Sequence, residues 1–394
     1  MLTSIAYVFL FGLALGSLAK RLYMPSLVGM LLAGILLGPY GFDQLSGELL
    51  AISADLRQLA LVVILLRAGL SLELDDLKRA GRPALLMCFV PAACEVLGMW
   101  LLAPRLLGVS PLDAAIMGAV VGAVSPAVIV PRMLRLMEEG YGAAKGIPQM
   151  VLAGASVDDV FVFVIVLFTS FTGMAQGGRF SPAALVGVPV SILLGGAAGL
   201  ALGLLLAELF ARLQMRDSVK VLLLLALALL LLELEHALEG TLPFSGLLAV
   251  MGAGLGLRRW RPRTAGRLTA KFGKLWVAAE VVLFVLVGAQ VNLPYAALAG
   301  PRAVAAVLGA LCFRAVGVLL CQLGGGLNGK ERLFAVLAYL PKATVQAAIG
   351  GVPLAMGLSC GETVLTVAVI AILVTAPLGA LAIDAACRRL LEKA

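Results

Sequence analysis

Thirteen apolar runs follow one another along the 394 residues, most of them near the length a helix needs to cross a bilayer. That length is about 20 mostly apolar residues. The runs fall at 3–19, 25–38, 57–72, 83–103, 110–131, 148–173, 182–210, 218–236, 242–257, 275–293, 301–322, 333–356 and 361–384. The second and ninth are short, and the seventh is long enough to tilt. Unbroken runs are not the alternating pattern of an outer-membrane barrel, so the expected fold is an all-α polytopic membrane protein. Composition closes the other routes: 62% of the residues are hydrophobic and 13% charged, with a mean hydropathy of +1.07. A soluble domain is about 45–50% apolar and about 25% charged. Folded in water, this chain would expose large apolar areas, which excludes a soluble enzyme, a nucleic-acid-binding domain and a disordered chain. The first run has no basic leader and no small-residue cleavage site, so it reads as a retained span.

The net charge is +8, from 30 Lys and Arg against 22 Asp and Glu. With the N-terminus outside, only Arg57, Arg105, Arg179 and Arg302 fall in outward loops or at their edges, while Arg67, Arg314 and Lys342 fall inside spans. The remaining 23 of the 30 face inward. Basic residues gather in cytoplasmic loops, so this asymmetry predicts an outer N-terminus, a cytoplasmic C-terminus and an odd number of spans. The basic excess is therefore topological, and no nucleic-acid partner is expected. The longest loop, Arg258–Lys274, is basic and short, suited to joining two halves and to touching anionic lipid. Six cysteines without close-pair spacing argue against a metal site or a disulfide framework.

A charge at mid-membrane is expensive and needs a partner or a task. Five stand near span centres: Glu95, Asp158, Asp159, Arg314 and Lys342. The pair Asp158–Asp159 sits within Gly154-Ala-Ser-Val-Asp-Asp-Val-Phe, about eleven residues into the sixth span. Neighbouring helical residues point about 100° apart, so one carboxylate can face a cavity while the other meets an adjacent helix. Carboxylates are hard ligands for small cations and also accept protons. A group that holds one or the other, never both, makes the two compete, and that competition is all that coupled exchange requires. The structural alternative is a helix-interior Asp paired with a neighbouring Lys or Arg. Glu95 and Arg314 are expected to pair, either as a staple or as part of a gate; Arg67 is read as snorkelling inward or pairing with an acid. Glu233, Glu235, His236 and Glu280 read as interfacial.

Two spans carry helix breakers. The fifth reads Gly122-Ala-Val-Ser-Pro-Ala-Val-Ile-Val-Pro131, and the twelfth reads Tyr339-Leu-Pro-Lys-Ala-Thr-Val-Gln-Ala-Ala-Ile-Gly-Gly-Val-Pro353, with Lys342 and Gln346 on one face. Proline removes a backbone donor, and freed carbonyls at membrane depth are tolerated only where they line a cavity or are buried in protein. Spans two to six form five helices starting inside, spans nine to thirteen form five starting outside, and the interrupted helix is fourth in each set. That arrangement is an inverted repeat over 25–173 and 242–384, with 182–236 supplying linker helices within one membrane domain, 1–394. Matching interruptions in two halves point to a transporter site.

The strings Val124-Ser-Pro-Ala-Val-Ile-Val-Pro131, Asp158–Asp159 and Leu340-Pro-Lys-Ala-Thr-Val-Gln-Ala-Ala-Ile-Gly350 resemble the monovalent cation/proton antiporter superfamily, and within it the NHA subgroup. Leu66-Arg-Ala-Gly-Leu70 and Val287-Gly-Ala-Gln-Val291 support the resemblance. It implies crossed unwound helices, a dimerisation region and an elevator-like movement. It also implies Asp159 as the main cation and proton ligand, Asp158 paired with a base, and Ser125 near the ion. Glu95 and Arg314 would match a buried acid–base pair, with Lys342, Thr344, Gln346 and Arg67 in support. Many superfamily members have Thr-Asp where this chain has Ser125-Pro126, which leaves the partner of Lys342 open.

The expectation is thus a secondary antiporter and not an enzyme, needing no cofactor, in a bacterial-type inner membrane. It would exchange Na⁺ (or Li⁺) for H⁺, serve pH homeostasis and work as a homodimer. K⁺/H⁺ exchange and ion-coupled symport of an organic anion are the alternatives on the same scaffold. An intramembrane aspartyl protease is disfavoured, because adjacent Asp on one helix cannot meet head-on around a water.

Overall fold

The computed structural model describes residues 1–71, 81–142, 145–154, 171, 182–238 and 242–393. Regular structure among the described residues is helical, apart from an isolated antiparallel bridge between Tyr141 and Lys393. In chain order the helices are α1 (Leu2–Arg21), α2 (Ser26–Leu37), α3 (Gly47–Ala51), α4 (Ser53–Ser71), α5 (Gly81–Met87), α6 (Val90–Leu107), α7 (Pro111–Val121), α8 (Pro126–Glu139) and α9 (Ile147–Gly154). They continue as α10 (Pro182–Arg212), α11 (Asp217–Leu238), α12 (Gly246–Trp260), α13 (Pro262–Ala289), α14 (Leu293–Cys321), α15 (Gly329–Ala338), α16 (Thr344–Ile349), α17 (Val352–Ala355) and α18 (Gly361–Leu390). Seven described segments are long and apolar enough to cross a membrane: α1, α6, Leu193–Arg212 of α10, α11, α13, α14 and α18.

The chain forms two compact units. One comprises Met1–Ala54, Asp75–Val164 and Leu283–Ala394, and the other Asp55–Leu74 and Ile165–Val282. Each is held by backbones brought close at glycines, the device that membrane helices use where burial from water supplies no drive. In the first unit a Cβ on Gly34 would lie 2.0 Å from the carbonyl oxygen of Val285, and one on Gly288 would lie 2.2 Å from that of Leu31. In the second, a Cβ on Gly199 would lie 2.3 Å from the carbonyl oxygen of Ala249.

One expectation needs correction. Arg258–Lys274 is not a loop: helix α12 runs to Trp260, Arg261 turns the chain, and α13 begins at Pro262. Proline suits the first helical turn, where its missing N–H has no partner to lose. Ala265, Leu268 and Phe272 are fully buried at helical spacing, and the arginines occupy the other faces. Arg267 reaches out to Asp217 at 2.9 Å. The basic run hid an amphipathic helix.

Candidate ion-translocation site

The two spans rich in breakers are broken before Pro126, at Pro341 and before Pro353, whereas Pro131, expected to break its helix, is carried inside α8. Residues 122–125 separate α7 from α8, and residues 339–343 separate α15 from α16. A second interruption, Gly350–Gly351, separates α16 from α17. The breaks lie against each other: the backbone N–H of Ser125 donates to the carbonyl of Pro341 at 2.9 Å. Pro126 occupies the first position of α8 and Pro131 its interior.

Around this junction sit three buried charges. Glu95 on α6 and Arg314 on α14 meet because those helices pack closely. A Cβ on Gly317 would lie 2.8 Å from the Cα of Pro91, and one on Gly98 would lie 2.8 Å from the ring of Phe313. The Arg314 Nε donates to Glu95 Oε2, and a terminal guanidinium nitrogen donates to the carbonyl of Gly122. Lys342 Nζ donates to the same Glu95 Oε2 at 2.5 Å and to the carbonyl of Ala123 at 3.2 Å. Glu95 and Lys342 are completely buried, and Arg314 nearly so. One carboxylate oxygen therefore serves two basic side chains.

Gln346 ties the breaks together. Its amide nitrogen points at the carbonyls of Ala123 (2.8 Å), Val120 (3.2 Å) and Val121 (3.4 Å), while its oxygen accepts from the N–H of Ala343 at 2.8 Å. Thr375 of α18 accepts from the N–H of Lys342 at 2.9 Å. Thr344 is buried at the start of α16. The Ser125 hydroxyl and the second oxygen of Glu95 are buried with no hydrogen-bond partner among the described residues. Buried polar atoms in native proteins are nearly always satisfied, so such orphans mark places where a further group is expected.

Of the residues singled out in the sequence, Ser125, Glu95, Arg314, Lys342, Thr344 and Gln346 belong to the first unit. Asp158 and Asp159 lie outside the described residues. Arg67 belongs to the second unit and is exposed. Sequence reasoning left the partner of Lys342 open, and the structure supplies Glu95. It did not find Thr375, whose only signal was a hydroxyl in an otherwise apolar run two residues before Pro377.

A family model described as "Sodium/hydrogen exchanger, transmembrane" matches residues 5–388. The sodium/hydrogen exchanger 9B2 of Mus musculus is 35% identical over 382 residues, covering 94% of this chain and 69% of that protein. The sodium/hydrogen exchanger 9B1 of Homo sapiens is 30% identical over 375 residues, covering 91% and 71%. Among solved structures, the sodium proton antiporter MjNhaP1 of Methanocaldococcus jannaschii superposes with a TM-score of 0.83 at 20% identity, covering 99% of each chain. A second structure of that antiporter gives a TM-score of 0.72 at 23% identity, covering 99% and 98%. Likeness at such identity establishes the fold, and the longer sequence matches establish the kinship. The resemblance drawn from the motifs holds, and with it the expectation of a transporter rather than an enzyme: the chain belongs to the sodium/hydrogen exchanger family of multi-pass membrane proteins.

Proposed function

We propose that this protein is a secondary antiporter of a bacterial-type inner membrane, exchanging Na⁺ or Li⁺ for H⁺. The observation that carries the reading is the junction of two helix breaks at Ser125 and Pro341, beside buried Glu95, Arg314 and Lys342. Its kinship with sodium/hydrogen exchangers supports the choice of ions. In this reading Asp159 is the main ligand, with Asp158 and the unpartnered Ser125 hydroxyl assisting. Arg314 and Lys342 share the one carboxylate of Glu95, and the Asp pair would supply a further one. An ionised Asp159 takes the cation; a proton, by neutralising the carboxylate, removes the charge that held it. The two loads are thereby made exclusive, and the proton gradient can drive the cation.

The proposed frame has thirteen spans, with inverted repeats at 25–173 and 242–384, and works as a homodimer in which a core moves as an elevator against a dimerisation region. The N-terminus lies outside and the C-terminus in the cytoplasm, as the basic residues indicate. Such exchange would serve pH homeostasis.

Proteoliposomes with an imposed pH gradient test it. Adding Na⁺ or Li⁺ is expected to dissipate the gradient with the unaltered protein and not with Asp159→Asn. Dissipation by Asp159→Asn at the unaltered rate would place the site elsewhere, and K⁺ in the same panel decides between the sodium and potassium readings.

A further inference from the structure

A cavity of about 310 Å³ opens in the first unit, away from the junction of the breaks, with Lys145, Gly146, Gln149, Gln322, Gly325 and Leu327 in its wall. That volume is at the small end of ligand sites. Gln322 is fully buried, yet neither its amide nitrogen nor its oxygen has a partner among the described residues. A buried amide is normally hydrogen-bonded, so its place in a cavity wall points to an occupant.

The rest of the wall says what kind. Helix α9 starts at Ile147, and Gly146 just before it lines the cavity together with Gln149 and Met150 of its first turn. Pro148 has no N–H, and those of Ile147 and Met150 donate to the carbonyls of Gly142 and Gly146, so Gln149 is the first-turn residue whose N–H can serve the occupant. Lys145 precedes the helix. An ammonium has three donors, and Lys145 Nζ lies 2.9 Å from each carboxylate oxygen of Glu331, so one donor remains. Glu331 is itself held by the N–H of Asn328 at 2.7 Å. Arg332 is anchored to the carbonyl of Leu327 at 3.0 Å, at the rim.

We propose that this cavity binds a phosphate group, either free in solution or carried by a lipid headgroup. The amide nitrogen of Gln322, the remaining donor of Lys145 and the N–H of Gln149 would donate to its oxygens. Phosphate suits this set because it presents several acceptors to donors arriving from different sides. Gly154, the last residue of α9, stands four residues before Asp158 in the sequence, so occupancy is expected to bear on transport as well. That effect on transport rests on the antiport reading, whereas binding itself does not, and a binding assay tests it separately.

The test is thermal unfolding of the purified full-length chain. Inorganic phosphate is compared with chloride at equal ionic strength, and phosphatidylcholine nanodiscs are compared with and without phosphatidic acid. A saturable rise in melting temperature is expected in at least one arm. A rise with inorganic phosphate identifies a free anion; a rise only with phosphatidic acid identifies a headgroup. Lys145→Gln and Gln322→Leu are each expected to weaken apparent affinity about tenfold or more, as loss of a donor to a charged group does. Should Gln322→Leu fail to fold, Gln149→Leu replaces it. No shift in either arm, or a shift that the variants leave intact, overturns the proposal.

Discussion

The two helix breaks look alike in the sequence and behave differently in the structure. The break at 122–125 contributes acceptors. The carbonyls of Val120, Gly122 and Ala123 are freed there, and side chains from elsewhere cap them: Arg314, Lys342 and Gln346. The break at 339–343 contributes donors, since Lys342 comes from it and Gln346 from the helix just after it. Its own backbone is satisfied by Thr375, by the Gln346 oxygen and by the N–H of Ser125. One break is thus served by the other. The side chain that the acceptor break keeps unengaged is the Ser125 hydroxyl. Unwinding a membrane helix requires a full set of replacement partners, and here the second break supplies much of the first one's set. The junction is satisfied wherever partners exist, and the Ser125 hydroxyl and the second Glu95 oxygen are its two atoms without one among the described residues.

Removing Glu95 should break this division of labour most severely. Glu95→Gln would take from Arg314 and Lys342 the carboxylate they share; loss of one partner from a buried pair costs about 3–5 kcal/mol. A large fall in melting temperature, with loss of exchange, is expected, and an unaltered melting curve would show that the two cations are held by other groups. Asp159→Asn comes next for function: exchange in proteoliposomes is expected to vanish while the protein remains folded. Gln346→Leu removes the clamp between the breaks and leaves several buried carbonyls short of a donor. A destabilisation of about 1–3 kcal/mol in chemical or thermal unfolding is expected, with slower exchange.

Ser125→Ala sharpens the contrast from the other side. The hydroxyl makes no hydrogen bond among the described residues and does not cap α8, so stability should move by less than about 1 kcal/mol. The half-saturating cation concentration in the exchange assay should nevertheless rise severalfold; a large loss of stability with unaltered cation dependence would count against an ion-facing oxygen. The smallest effect is expected at the far end of α8, where Arg135 meets Asp384 of α18 at 2.8 Å near the surface. Arg135→Ala should cost about 0–1 kcal/mol, because exposed pairs are weak and salt-screened.

How much was legible varies with the kind of signal. Apolar runs announced the helices, and prolines at 126, 341 and 353 announced the interruptions, because both follow from residue type alone; Pro131 stands inside α8 and interrupts nothing. Glu95, Arg314 and Lys342 announced themselves as charges in hydrocarbon, but not their common oxygen. The segment after Arg258 misled because its arginines dominate the composition, while Ala265, Leu268 and Phe272, at helical spacing, carry the fold.

The order of residues by itself determined that this chain lives among helices in a bilayer, where two of them are interrupted and which charges need company. Each of those is a local property, decided by the cost of placing a given side chain or an unbonded peptide in hydrocarbon. Only the tertiary structure decided that Lys342 shares Glu95 with Arg314, and that Gln346 clasps the carbonyls of the opposite break. Carbonyl acceptors belong to every residue and have no letter in a sequence, and residues 219 to 247 positions apart become neighbours only when close-packed glycines let the helices between them fold together.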